Sequence, residues 1–182
     1  MSNYVTAIGL DVHARSIKAC ALNPMTGEVE RASFGYDPAS VAEWALGFES
    51  PKAVYESGVT GFHLCRALRA LGLDCAVGAV SKMQRPAADR GRKTDRRDAE
   101  FLARLLATRN VVEVWVPDGR TEAARDLSRA LADARDDLQR AEQRMSKFLL
   151  RHGHVFDEAT PTGRRKGNWT RAYWRWADAI EF

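Results

Sequence analysis

The chain has 182 residues, 45% of them hydrophobic and 29% charged, with a formal net charge of +4. That length allows one domain of ordinary size plus an appendage, and the well-mixed charge excludes a disordered or fibrous protein. No apolar run reaches the roughly 18 residues of a membrane span. The opening MSNYVTAIGLDV carries no basic segment followed by an apolar one, so a secretory signal is not expected and the expected compartment is the cytoplasm. Cys20, Cys65 and Cys75 are odd in number, form no C-x-x-C pair and sit in apolar runs, which reads as buried thiols rather than a disulfide or zinc framework.

In chain order, Tyr4 to Val12 is short, apolar and β-branched, and SIKACALNPMTGEVERASFGY predicts two further strands around a Pro/Gly turn. Asp37 before Pro38 is a helix opening, an acid to cap free amides and a proline suited to the first helical position. KAVYES reads as a strand, GVTGFHLCRALRALG as a helix closing on Gly72, and LDCAVGAV as a buried strand. A basic loop follows, then a helix beginning near Asp95 and a strand-like VVEVWVP. Three strands, helix, strand, helix, strand predicts an α/β fold, a mixed sheet with helices on its faces.

Composition changes after Pro117. Leu127, Leu131, Ala134, Leu138, Ala141, Met145 and Phe148 are spaced alternately four and three apart, the heptad rhythm of a coiled-coil seam. The same spacing suits a long helix packed on its own domain. HGHVFDEATPTGRRKG breaks the helix, and Trp169, Tyr173, Trp176 and Ile180 then fall on one helical face. That stripe could stack on bases beside Arg171 and Arg175, or bury against another helix from a partner or a further domain. The expected division is 1–117, a sheet domain; 118–152, a coiled-coil helix; and 153–182, a basic linker with an aromatic amphipathic helix.

Four carboxylates stand at the ends of these elements. Asp11 follows the apolar AIGL and Glu56 ends AVYE, and in an open α/β sheet groups at the carboxyl ends of adjacent strands converge on a common crevice. Asp95 and Asp98 lie three apart in the first turn of a helix, hence on one of its faces. Gathered together, four carboxylates would repel one another without a cation, and oxygen-only ligands suit Mg2+ or Mn2+. Lys82, Arg85, Arg90, Arg92, Lys93, Arg96 and Arg97 surround the acidic pair and suit a phosphodiester backbone. Taken singly, Asp95 is equally a helix cap, Asp98 a surface charge and Asp11 the start of a turn, so spacing alone leaves a metal site and a solvated surface both open. His13 could touch such a site or simply end a strand. His152, His154 and Asp157 match no usual zinc spacing, and Gly58 and Gly61 are weak signals of phosphate approach.

IGLDVHARSI, VYESGVTGFHLCRALRALG and GRKTDRRDAEFLARLL, followed by VWVP, resemble in order the DEDD transposases of bacterial insertion sequences, in the group called insertion-sequence family one hundred and ten, related to Piv and MooV invertases. The resemblance implies an N-terminal RuvC-like domain of ribonuclease H fold. Its catalytic, metal-binding tetrad would be Asp11, Glu56, Asp95 and Asp98. It further implies DNA and a structured noncoding bridge RNA as partners, and self-association through the heptad helix as a homodimer or higher assembly. It also implies a C-terminal domain with a nucleophilic serine, which is expected to be missing from these 182 residues. Two other readings stand beside it: a non-catalytic nucleic-acid-binding and dimerisation module, and an autonomous RuvC-type nuclease.

Overall fold

A computed structural model describes residues 4–79 and 95–181, the side chains of 95–97 excepted. Five strands form one mixed sheet: β1 (Thr6–Val12), β2 (Ser16–Leu22), β3 (Val29–Gly35), β4 (Pro51–Glu56) and β5 (Asp74–Gly78), in the spatial order β3-β2-β1-β4-β5. The first three pair antiparallel, whereas β1, β4 and β5 run parallel. Parallel neighbours need crossovers, which the helices α1 (Pro38–Leu46) and α2 (His63–Ala70) supply. Asp37 caps α1 as its sequence predicts, accepting from the amides of Ala39 and Ser40 at 3.1 and 3.2 Å. The result is an α/β sheet with flanking helices, consistent with a ribonuclease H-like arrangement.

Alternation along the strands divides the core in two. Ile8, Leu10, Ala53, Tyr55, Cys75 and Val77 face one side, where Val41 and Ala45 of α1 and Leu64 and Leu68 of α2 cover them. The opposite face carries Ala7, Cys20, Leu22, Val54 and Ala76, and helix α3 (Asp95–Ala107) covers it with Ala99, Leu102, Ala103 and Leu106. The three cysteines are buried and free, as expected.

Two expected elements differ. VVEVWVP is no strand: it runs antiparallel to the end of β5 through a single bridge, Gly78 with Glu113, because β5 ends there and offers one residue to pair. The helix expected from Gly58 starts instead at His63, since Gly61 takes a positive φ of 63° and its amide closes a turn on the carbonyl of Gly58.

The chain divides into two compact units, Met1–Glu122 and Ala123–Phe182. Helix α4 (Gly119–Arg151), 33 residues and about 50 Å long, starts in the first unit and supplies the beginning of the second. Leu127, Leu131 and Leu138 of the heptad seam are 74%, 51% and 60% exposed, so the described residues do not bury this face. Near the helix end the core residue is Leu149, one position off the seam; it packs with Phe156 and Tyr173 of the tail, and Met145, Trp169, Trp176 and Ile180 close around them. The aromatic stripe on and around α5 (Arg171–Asp178) therefore packs against Leu149 of the chain's own helix α4. Among the described residues no helix is long and apolar enough to cross a membrane.

Among the described glycines, Gly9 has the closest neighbours. A Cβ there would stand 2.0 Å from the carbonyl oxygen of Ala99 and 2.5 Å from the amide nitrogen of Ala103, both backbone atoms that cannot rotate away. Gly9→Ala should therefore push α3 off the sheet, costing ~1–3 kcal/mol or more. Thermal unfolding should register a midpoint roughly 5–10 °C lower. Gly35→Ala, with nothing within 4 Å of its Cβ position, should melt like the parent.

Candidate acidic centre

The register fixes where Asp11 and Glu56 stand. β1 and β4 run parallel with Gly9 opposite Val54 and Leu10 opposite Tyr55, so one step further brings Asp11 opposite Glu56 at the carboxyl ends of both strands. Asp11 alternates with Ala7 and Gly9, and Glu56 with Val54, so both belong to the face that α3 covers. Both are half-buried, the Asp11 side chain 19% exposed.

Helix α3 runs antiparallel to β1. Leu106, near its end, accepts a hydrogen bond on its carbonyl from the Tyr4 hydroxyl before β1, while Ala99 lies over Gly9. The first turn of α3, where Asp95 and Asp98 occur, is therefore at the same end of the sheet as Asp11 and Glu56. Gly9 and the small Ala99 and Ala103 permit the close approach that brings this about. Asp98 is half-buried; the Asp95 side chain is outside the described residues. So are Lys82, Arg85, Arg90, Arg92 and Lys93, together with the side chains of Arg96 and Arg97. Among the described residues, no three His, Cys, Asp or Glu side chains gather closely enough to hold a metal. Asp11, Glu56 and Asp98, the three tetrad members whose side chains are described, thus share one end of the sheet without meeting at a single point, and the His152, His154 and Asp157 group forms no site either: Asp157 pairs with Arg165 at 2.9 Å and the His152 ring lies 4.7 Å from that of Phe148.

Neighbours of Asp11 define its surroundings. Nε2 of the exposed His13 lies 3.0 Å from Asp11 Oδ2, within hydrogen-bonding distance. Directly opposite Asp11 on β2 is Lys18, on the same face and hydrogen-bonded to Ser33 Oγ at 2.5 Å. Lys18 was not among the residues expected from the sequence; its period-two alternation with Cys20 on the strand after Asp11 is the signal that reveals it. Gly9 was likewise missed, although a glycine inside an apolar strand marks close approach.

Glu100 holds the α3 angle. Its carboxylate accepts from Arg31 of β3 at 2.6 Å and from Arg104 one turn on at 2.7 Å. The hydrogen bond from Arg31 first, then that from Arg104, lowers its pKa from 4.5 against the opposing effect of burial.

A mixed sheet in the order β3-β2-β1-β4-β5 with flanking helices, and acids at the carboxyl ends of adjacent central strands, is consistent with the class of ribonuclease H-like domains. The sequence model of the IS110 DEDD family, described as "Transposase", matches residues 8–153, and the chain belongs to that family. It is similar to "Putative transposase y4qE" of Sinorhizobium fredii (strain NBRC 101917 / NGR234), 40% identical over 156 residues, covering 86% of this chain and 38% of that one. It is also similar to "Transposase for insertion sequence element IS1533" of Leptospira borgpetersenii, 32% identical over 181 residues, covering 96% of this chain and 50% of that one. The chain thus spans half or less of the length of these curated relatives.

A carboxylate whose folded pKa is depressed contributes stability that is complete above its unfolded value and disappears as pH falls through the folded one. Glu100→Gln should therefore lower the thermal midpoint at pH 7, and the gap to the parent should close on acidification well below pH 4.5. Melting curves taken from pH 7 to pH 3 measure this directly.

Proposed function

We propose that this chain is the acidic-site part of a DNA transposase and recombinase, in which Asp11, Glu56, Asp95 and Asp98 hold Mg2+ or Mn2+. The observation that carries the reading is the shared end of the sheet: Asp11 opposite Glu56 on neighbouring parallel strands, under the first turn of an antiparallel α3. The donor chemistry fits the group, since hard divalent cations take carboxylate oxygens and leave positions for water and phosphate. When bound, such ions stabilise the developing charge of an in-line phosphoryl displacement.

The chain's own residues then have separate tasks. The four carboxylates would hold the cation at the carboxyl end of the sheet. The N-terminal end of α3 favours their negative charge. His13, with Nε2 3.0 Å from Asp11 Oδ2, orients that carboxylate. Lys82, Arg85, Arg90, Arg92, Lys93, Arg96 and Arg97, with Lys18 beside Asp11, neutralise backbone phosphates of DNA. The structured bridge RNA implied by the family resemblance is proposed as a second polyanionic partner of the same basic loop. The exposed Leu127, Leu131 and Leu138 propose self-association through α4. Complete strand exchange is proposed to need the serine-bearing domain that the resemblance implies. The family match favours this reading over a non-catalytic binding module or an autonomous nuclease.

Asp11→Asn and Asp98→Asn should abolish transposition by the full-length protein and weaken Mn2+ binding at least tenfold, at unchanged thermal midpoint; full activity in either variant would sink the tetrad. Leu131→Asp should leave both units folded and shift sedimentation toward the monomer. An unaltered sedimentation profile would count against the helix as the association surface.

A further inference from the structure

The turn after Glu56 has little packing of its own. Val59 at its tip is completely exposed, and beyond Ser57, whose amide donates to the Gly78 carbonyl at 2.9 Å, the sheet no longer holds it. Two side chains fasten it from opposite sides. From within, the buried Tyr55 hydroxyl donates to the Gly61 carbonyl at 3.0 Å and accepts from the Cys65 amide at 3.3 Å. Burial raises the pKa of this phenol, which keeps it in the neutral form that donates and accepts together.

From without, the clasp is Glu122, in the first turn of α4. Its Oε1 accepts from the Phe62 amide at 3.1 Å, and its Oε2 accepts from Arg66 at 2.5 Å. Arg66 reaches back to the Pro117 carbonyl at 3.0 Å. A Cβ at Gly61 would lie 2.8 Å from Glu122 Oε1, so the carboxylate sits directly on this backbone. Helix α2 has Phe62 as its N-cap residue, makes no side-chain capping bond of its own and has no acid in its first turn. Glu122 therefore does for α2 what the glutamate of a local capping box would ordinarily do, satisfying the amide of the N-cap residue and placing negative charge at the helix N-terminus. Burial alone would raise the Glu122 pKa; the bonds from Arg66 and the Phe62 amide outweigh it, and the pKa is lowered.

We infer that Glu122, through its clasp on Gly61, Phe62 and Arg66, is a positioning residue that fixes the carboxylate of Glu56 for the acidic centre. The inference rests on the metal-site reading above. Glu56 is the last residue of β4; pairing with Gly78 and the Ser57 amide fix its backbone, so what the turn governs is the space into which its side chain extends. A turn tied at Phe62 keeps that space constant, and a turn free to swing from its exposed tip does not.

The test uses the whole chain, with Mn2+ alone as probe, followed by electron paramagnetic resonance. Glu122→Ala removes both bonds; Glu122→Gln keeps an acceptor for the Phe62 amide but loses the ion pair with Arg66. Expected is a weakening of Mn2+ binding by roughly tenfold in the alanine variant, the low end of what residues behind metal ligands contribute, and less in the glutamine variant. Amide exchange in 57–62 should quicken in the same order. All measurements are made below the midpoint of the least stable variant, and Arg66→Ala serves where Glu122→Ala does not fold. Parent-like Mn2+ affinity with parent-like exchange overturns the inference. A parent chain that binds no Mn2+ overturns the metal reading instead, and the exchange rates then decide the clasp by themselves.

Discussion

The first unit depends on one contact, the backbone of α3 lying directly on Gly9. Side chains normally hold a layer packed on a sheet well clear of its backbone, about 10 Å in the case of a second sheet. Here a strand residue without a side chain faces Ala99 and Ala103, and the gap closes. Leu102 and Leu106 then reach Ala7, Val54 and Ala76 on either side, and Glu100 is brought to Arg31 on β3. Each is a consequence of where the helix lies, and the glycine decides that.

The same contact sets the electrostatics. Because α3 is antiparallel to β1, its N-terminal end, with its positive partial charge, meets the carboxyl ends of β1 and β4, where Asp11 and Glu56 stand. Lys18 adds a full positive charge from β2. Asp11 and Glu56 thus have the N-terminal end of α3 and Lys18 as positive neighbours, which the proposed metal site would share. The proposed centre is in this sense prepared by the backbone as much as by its acids.

The strand ends were legible because an apolar run that stops at an acid is a local pattern: AIGL before Asp11, AVY before Glu56. The Asp37 cap and the start of α3 at Asp95 were legible for the same reason. What could not be read was long-range. Gly9 is explained only by a helix some 90 residues later, and the capping acid of α2 is supplied from Glu122, sixty residues beyond Phe62. VVEVWVP has every local mark of a strand, yet β5 leaves it one residue to pair with. The heptad rhythm correctly marked a long helix, but its last turn buries Leu149 instead of continuing the seam, because Phe156 and Tyr173 lie there.

The distance along the chain between Gly9 and Ala99 also has a consequence for synthesis. A chain emerges from its N-terminus, and long-range contacts form only when their later partner arrives. All five strands and both crossover helices precede α3, so the sheet can assemble on its α1 and α2 side while Ala7, Cys20, Val54 and Ala76 remain uncovered on the other. Until α3 lies down, that face is an adhesive apolar surface and Asp11 and Glu56 are two acids at its rim. Closing the face and assembling the acidic end are one event, so a partly made chain has neither.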